Sequence, residues 1–230
     1  MFTGASLHSD LDAERRFPRR RVDRNAVSAV FAIPGHAALE THFWPEHNCG
    51  MDHGEQLRQR LRGLPLQAPP IPWKQCCVHA VGGLSEVGFG ESSDFLLVVS
   101  STGRGVFNCL TGEKVARDYE DVSRSWYDPV RLTARGIGPL EARVIRLAGA
   151  AGGGLPLGTA DGWSVEMLFP DWPDGMVVLN PPGMSVLIER FASSCVRLLN
   201  VDVPRAHGFS ETGRSLVIAQ SHSLHIYCRE

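Results

Sequence analysis

The run VGFGESSDFLLVVSSTGRGVFN, residues 87 to 108, decides how the chain is read. It holds a turn, a continuous apolar segment, a second turn and another apolar segment. Phe95 to Val99 is apolar at every position, so it reads as a strand covered on both faces rather than one. The turns carry Gly, Ser and Asp, the residues that tight hairpins accept. The run thus predicts a hairpin with a buried central strand.

Displaced by 120 residues, the run meets HGFSETGRSLVIAQSHSLHIY, residues 207 to 227, with no gap. Gly88, Phe89, Glu91, Leu96 and Ser101 meet identical residues at Gly208, Phe209, Glu211, Leu216 and Ser221. Leu97 meets Val217, Val98 meets Ile218, and Phe107 meets Tyr227. An internal repeat is the expectation. A fainter third copy is placed midway, at GTADGWSVEMLF, with Asp161-Gly162 set against Thr102-Gly103 and His222-Ser223. That placement predicts a pitch of about 60 residues and roughly three repeats.

The stretch GFGESSDFLLVVSSTGRGVFNCLTGEKVARDY resembles one blade of a WD-repeat β-propeller. It has a Gly-Phe opening, a buried strand, a polar turn, a strand with a late aromatic, and LTGEKV. GFSETGRSLVIAQSHSLHIYCR repeats the first parts of that pattern. The resemblance spans residues 74 to 230 in patches and departs from the family in one respect above all. Phe107-Asn108 and Tyr227-Cys228 stand where the family has Trp-Asp. The resemblance implies a mainly β fold whose antiparallel sheets are propeller-like blades, in an incomplete or small propeller. An unrelated antiparallel sandwich is the competing architecture. The implied role is non-catalytic binding, as a scaffold or interaction subunit.

The remaining β-prone runs are CCVHAV, ARVIRLA, MVVL, SVLIERF and CVRLLNV. They are short, and Gly, Pro, Ser and Asp separate them, which suits hairpins and meanders rather than parallel βαβ units. Residues 1–70 form a different, irregular segment, and 71–230 the blade-like domain. The Pro-rich LPLQAPPIPW connects them. Before it, HGEQLRQRLR (53 to 62) predicts a short helix, with Asp52 as N-cap, Glu55 completing a capping box and Gly63 ending it.

The composition is that of a soluble globular protein: 43% hydrophobic, 21% charged, net charge −2. No apolar run reaches membrane-spanning length and the N-terminus lacks a signal-peptide core, so the expectation is a cytoplasmic protein without membrane contact. The six cysteines are scattered, which suggests reduced thiols on strand faces.

Three features invite a chemical reading. His42, His47, Cys49 and His53 crowd one stretch in metal-ligand residue types, though in no recognised zinc spacing. They carry the alternative that this is a zinc-binding protein or metal-dependent enzyme; the leading reading needs no metal or cofactor. The arginines at Arg15–Arg24 could contact nucleic acid, but residues 1 to 70 hold nine arginines against eight acids. The best binding candidates are the turn-region residues Trp126, Tyr127, Asp161, Trp163 and Trp172, because aromatics at loop ends anchor protein interfaces. The expected partner is a protein.

Overall fold

The computed structural model describes residues 52–120 and 125–230. Helix α1 (His53–Arg62) comes first. The strands follow in chain order: β1 (Lys74–Ala80), β2 (Leu84–Phe89), β3 (Phe95–Ser100), β4 (Gly103–Asn108), β5 (Glu113–Asp118), β6 (Tyr127–Asp128), β7 (Thr133–Arg135), β8 (Val144–Arg146), β9 (Ala148–Gly149), β10 (Ser164–Asp171), β11 (Asp174–Asn180), β12 (Val196–Val201), β13 (Pro204–Phe209), β14 (Ser215–Gln220) and β15 (Ser223–Cys228). The described fold is mainly β, and its sheets are antiparallel. Among the described residues no helix is long and apolar enough to cross a membrane.

Four sheets form. Sheet I runs β5-β4-β3-β2, with β9 added beyond β2; sheet II is β6-β7-β8; sheet III is β10-β11-β12; sheet IV is β1-β15-β14-β13. Each is a meander of sequence neighbours except where β9 joins β2 in sheet I and at sheet IV. There β1, from the beginning of the described β region, pairs antiparallel with the last strand, from Lys74↔Cys228 to Ala80↔Ser223.

The apolar runs are continuous because sheets pack on both of their faces. On β3, Leu96 and Val98 face sheet IV, meeting Val217, Ala219, Leu224 and Ile226. Their neighbours Leu97 and Val99 face sheet II, meeting Trp126, Ala134 and Ile145. On β14 the alternate residues Leu216 and Ile218 face sheet III, meeting Val165, Val177 and Leu179. On β11 the other face, Met176 and Val178, is covered by Leu61 and Leu64 from α1 and its C-terminal turn, with Val186 and Ala192. The order of packing is therefore α1, sheet III, sheet IV, sheet I, sheet II. Each fully buried side chain of this kind contributes about 1.5–3 kcal/mol.

The repeat holds pair for pair. Gly88↔Leu97 and Phe89↔Leu96 in sheet I correspond to Gly208↔Val217 and Phe209↔Leu216 in sheet IV. Leu97↔Val106 corresponds to Val217↔Ile226. Even the irregularity recurs: the register slips between Leu84 and Glu86 and, 120 residues on, between Pro204 and Ala206. The two turns also close alike, with Gly90 N–H donating to the Phe95 carbonyl and Ser210 N–H to that of Ser215.

The third copy is corrected. The turn at Asp161-Gly162 does not join a second strand to a third, as Thr102-Gly103 and His222-Ser223 do; it precedes β10, the first strand of sheet III. The central strands β3, β7, β11 and β14 begin at residues 95, 133, 174 and 215, steps of 38, 41 and 41. The described residues thus hold four sheets at a pitch near 40 residues, not three at 60. Of sheet II the sequence displays only β8, within ARVIRLA, because β6 and β7 are two and three residues long.

Two local expectations also change. SVLIERF is not a strand: a turn and a 3-10 helix, Glu189–Ser194, occupy it, and Val186 plugs the far face of sheet III. Helix α1 has the predicted ends, but Asp52 makes no side-chain cap bond and caps through its carbonyl. The capping box does not form, since Glu55 instead pairs with Arg58 and Arg62, at 3.2 Å each.

Candidate interaction surface

The five sequence-selected residues do not form one site. Trp126 is 4% exposed and packs between sheets I and II. The Arg104 guanidinium lies 4.5 Å from its ring and donates to Asp118 at 2.9 and 3.0 Å. The Glu120 N–H and Arg104 hold the Asp118 carboxyl below the usual range. Tyr127 is half-buried and donates its hydroxyl to Glu86 at 3.3 Å, and burial pushes its phenol upward. This pair is part of the packing between sheets I and II.

Trp163 is also buried, edge-on to Trp73 at 6.1 Å. Beside it stands a second clamp of the same construction. Arg229 lies 4.8 Å over the Trp73 ring and donates to both Asp161 oxygens, at 2.6 and 2.7 Å. Its Nε bonds the Gly213 carbonyl at 2.7 Å. Arg229 and Thr159 hold the Asp161 carboxyl well below the usual range. An arginine sandwiched between an indole and a carboxylate keeps its charge satisfied while its flat face packs. Both clamps serve the fold.

A third polar hub ties the equivalent turns of the repeat together. Asp94 accepts hydroxyl bonds from Ser210, Thr212 and Ser215 at 2.7–2.8 Å. In return the Glu211 carboxylate accepts the Ser92 N–H at 2.8 Å. These groups satisfy one another, joining sheet I to sheet IV.

Trp172 differs. It sits at the tip of the β10–β11 hairpin, 80% exposed, its ring 5.4 Å from that of Phe169. The tip is anchored: Arg62 of α1 grips Asp171 at 2.5–3.0 Å, which holds the Asp171 carboxyl below its usual range. Beside it opens a cleft of about 550 Å³, lined by Pro170, Asp171, Asp174, Arg197, Asn200 and His222 among others. Arg197 is committed to Asn200 Oδ1 and the Leu64 carbonyl. Asp174 and Asp202, both exposed, give the rim an acidic character. An anchored exposed aromatic beside an open polar cleft can take an apolar side chain on the indole and a cationic one at the rim.

The metal alternative falls mostly outside the described residues: His42, His47 and Cys49 lie there, and His53 is the exposed first residue of α1. Among the described residues no group of three or more His, Cys, Asp or Glu is arranged to hold a metal ion. Arg15–Arg24 also lies outside them.

Sequence reasoning missed the two arginine clamps and a gathering of cysteines at the β1–β15 edge. The repeat held a signal for the second, because Asn108 and Cys228 are equivalent positions, so Cys109 and Cys228 both lie at ends of corresponding strands. No protein-family model matches the chain, and no curated protein matches it.

Proposed function

We propose that the chain is a non-catalytic binding protein, an interaction subunit of a larger assembly, built from propeller-like blades of the WD type. Three features of the architecture support the blade reading. The sheets are antiparallel meanders packed face to face, their central strands recur every 38 to 41 residues, and two of them have four strands or more. That pitch lies close to the roughly 40–45 residues of a WD blade. Rigid sheets that present loops suit recognition.

The observation that carries the functional reading is Trp172. Exposing a tryptophan costs apolar burial, and this one is held by an anchored hairpin next to a cleft. Tryptophans so placed act as interface hot spots, worth about 2 kcal/mol or more. The partner is a protein that offers an apolar surface to the indole and a basic side chain to Asp174 and Asp202.

The test is affinity capture from extract of the native host, with the intact chain and with Trp172→Ala as baits, read by mass spectrometry. One partner should be enriched by the native bait and fall at least tenfold with the variant, while the unfolding midpoint of the variant stays unchanged. A native chain that captures nothing, or a partner held equally by both baits, would overturn the reading.

A further inference from the structure

Cys76, Cys77 and Cys109 pack in the interface between sheet IV and sheet I, and Cys228 joins them through the Leu110 carbonyl, so four of the five described cysteines gather there. The thiols of Cys76 on β1 and Cys228 on β15 donate to one and the same acceptor, the Leu110 carbonyl, at 3.6 and 3.7 Å. Cys77 donates to the Gly112 carbonyl at 3.6 Å. A Cβ placed on Gly112 would lie 2.8 Å from the Cys77 sulfur and 3.1 Å from that of Cys76, so the turn is bare where the thiols crowd it. Cys109, one residue before Leu110, is fully buried in the same cluster. Cys195 stands apart, in the packing between sheet III and α1.

The backbone explains the gathering. In a regular antiparallel pair, Cys76 would sit diagonally from Cys228, with Cα atoms about 7–8 Å apart. That is just beyond the reach of a disulfide, which needs about 4.4–6.8 Å. The register is not regular here: it slips between Gln75 and Cys77, leaving Cys76 as the extra residue. A bulge lets two neighbours point the same way, and Cys76 and Cys77 both pack against the same apolar cluster. β1 is also an edge strand, half-exposed on its outer side, so it can shift by the small distance a bond requires.

We propose that Cys76 and Cys228 form an oxidative cross-linking site that latches β1 onto β15. The oxidant is a peroxide. The half-buried Cys76, as thiolate, attacks one peroxide oxygen; the O–O bond breaks, giving a sulfenic acid and, for hydrogen peroxide, one water. The Cys228 sulfur then attacks the Cys76 sulfur, the S–O bond breaks, and a second water leaves. The two thiols lose two electrons and two protons in all, and the peroxide gains them. Burial holds both thiols above the ordinary cysteine range, Cys228 up to about 11, so the step depends on proximity rather than acidity.

The consequence is mechanical. β1 is the one strand of sheet IV that comes from far away in the chain, and it is the more exposed of the sheet's two edge strands. A covalent link between residues 76 and 228 closes a long loop, and links closing long loops constrain the unfolded chain most.

The experiment treats the reduced full chain with hydrogen peroxide and maps its peptides without reduction. The expected product is a monomer with Cys76 joined to Cys228 and a higher urea midpoint than the reduced chain. Cys76→Ser should lose both the link and the rise in midpoint, and Cys195→Ser should keep both. A link from Cys76 to any other cysteine, Cys49 included, overturns the proposal. So does oxidation of Cys76 to sulfinic acid without a link, or a link that leaves the midpoint unchanged. The mapping of the native chain decides by itself if a serine variant fails to fold.

Discussion

Gly88 and Gly208 recur in the repeat for a reason specific to the position. A Cβ on Gly88 would stand 2.1 Å from the Arg146 carbonyl oxygen, and one on Gly208 would stand 2.7 Å from that of Pro156. The Gly208 Cβ would also stand 2.5 Å from Leu155 Cβ, and neither backbone nor a Cβ fixed to it can yield as the far end of a side chain can. Gly88→Ala should therefore destabilise the protein by about 1–3 kcal/mol, the usual cost of overpacking. Gly82→Ala, where a Cβ meets nothing within 4 Å, should change it by less than about 0.5 kcal/mol. Urea denaturation of the two variants checks the contrast. The Asp161–Arg229 clamp makes a second prediction at this scale. The Asp161 carboxyl is held below its usual range, chiefly by Arg229. A depressed carboxylate stabilises the fold above its unfolded value of about 3.9, and that contribution is lost as the pH falls through the folded value. Asp161→Asn should thus be less stable than the native chain at neutral pH, and the difference should shrink below about pH 4. A difference that persisted unchanged at pH 3 would assign the effect to something other than the ionised pair. The clamp itself was not legible in the sequence. Asp161 and Trp163 were picked out as turn residues, but nothing local tells that Arg229 and Trp73 close on them from elsewhere in the chain.

The elements fall into those the sequence displays and those it hides. FLLVVS and SLVIAQ match β3 and β14 closely, and MVVL falls within β11. They stood out because both of their faces are covered, which demands apolar residues at successive positions. The first strands β2 and β13 and the outer strand β5 contain Gly, Glu, Arg, His or Lys and carry no such run. They were missed because β5 is half solvated and because β2 and β13 use glycine where backbones approach. SVLIERF misled in the opposite direction: its apolar residues fill the far face of sheet III from a turn, and at that length an apolar run does not distinguish strand from turn. The two-faced packing has a direct test. In a strand covered on one face only, alternate positions tolerate truncation. In β3, Leu96→Ala and Leu97→Ala should each cost about 2–5 kcal/mol, since one opens a cavity toward sheet IV and the other toward sheet II. Stability measured by denaturation should show two similar losses. A tolerant Leu97 would mean that sheet II does not cover β3.

At the largest scale, the described β region is organised by a period of about 40 residues that the sequence shows only at three times its length. Sheets I and IV are the similar pair, so the 120-residue echo is visible, while sheets II and III between them do not share their sequence pattern. The long-range pairing of β1 with β15 is what makes the arrangement more than a row of hairpins. It supplies sheet IV with its fourth strand and brings residues 74–80 beside 223–228. The blade reading, the oxidative latch and the burial of Trp73 all depend on that pairing. It is tested most directly with a cysteine pair placed across the ladder at Val78 and His225, which face each other in register. Val78→Cys with His225→Cys should give, on mild oxidation of the folded monomer, a peptide joining residues 78 and 225. Shifting one partner by a residue, to Leu224→Cys with Val78→Cys, should lose the link, because neighbouring residues of a strand point to opposite faces. A chain in which position 78 stays reduced, or links as readily to 224 as to 225, would contradict the account.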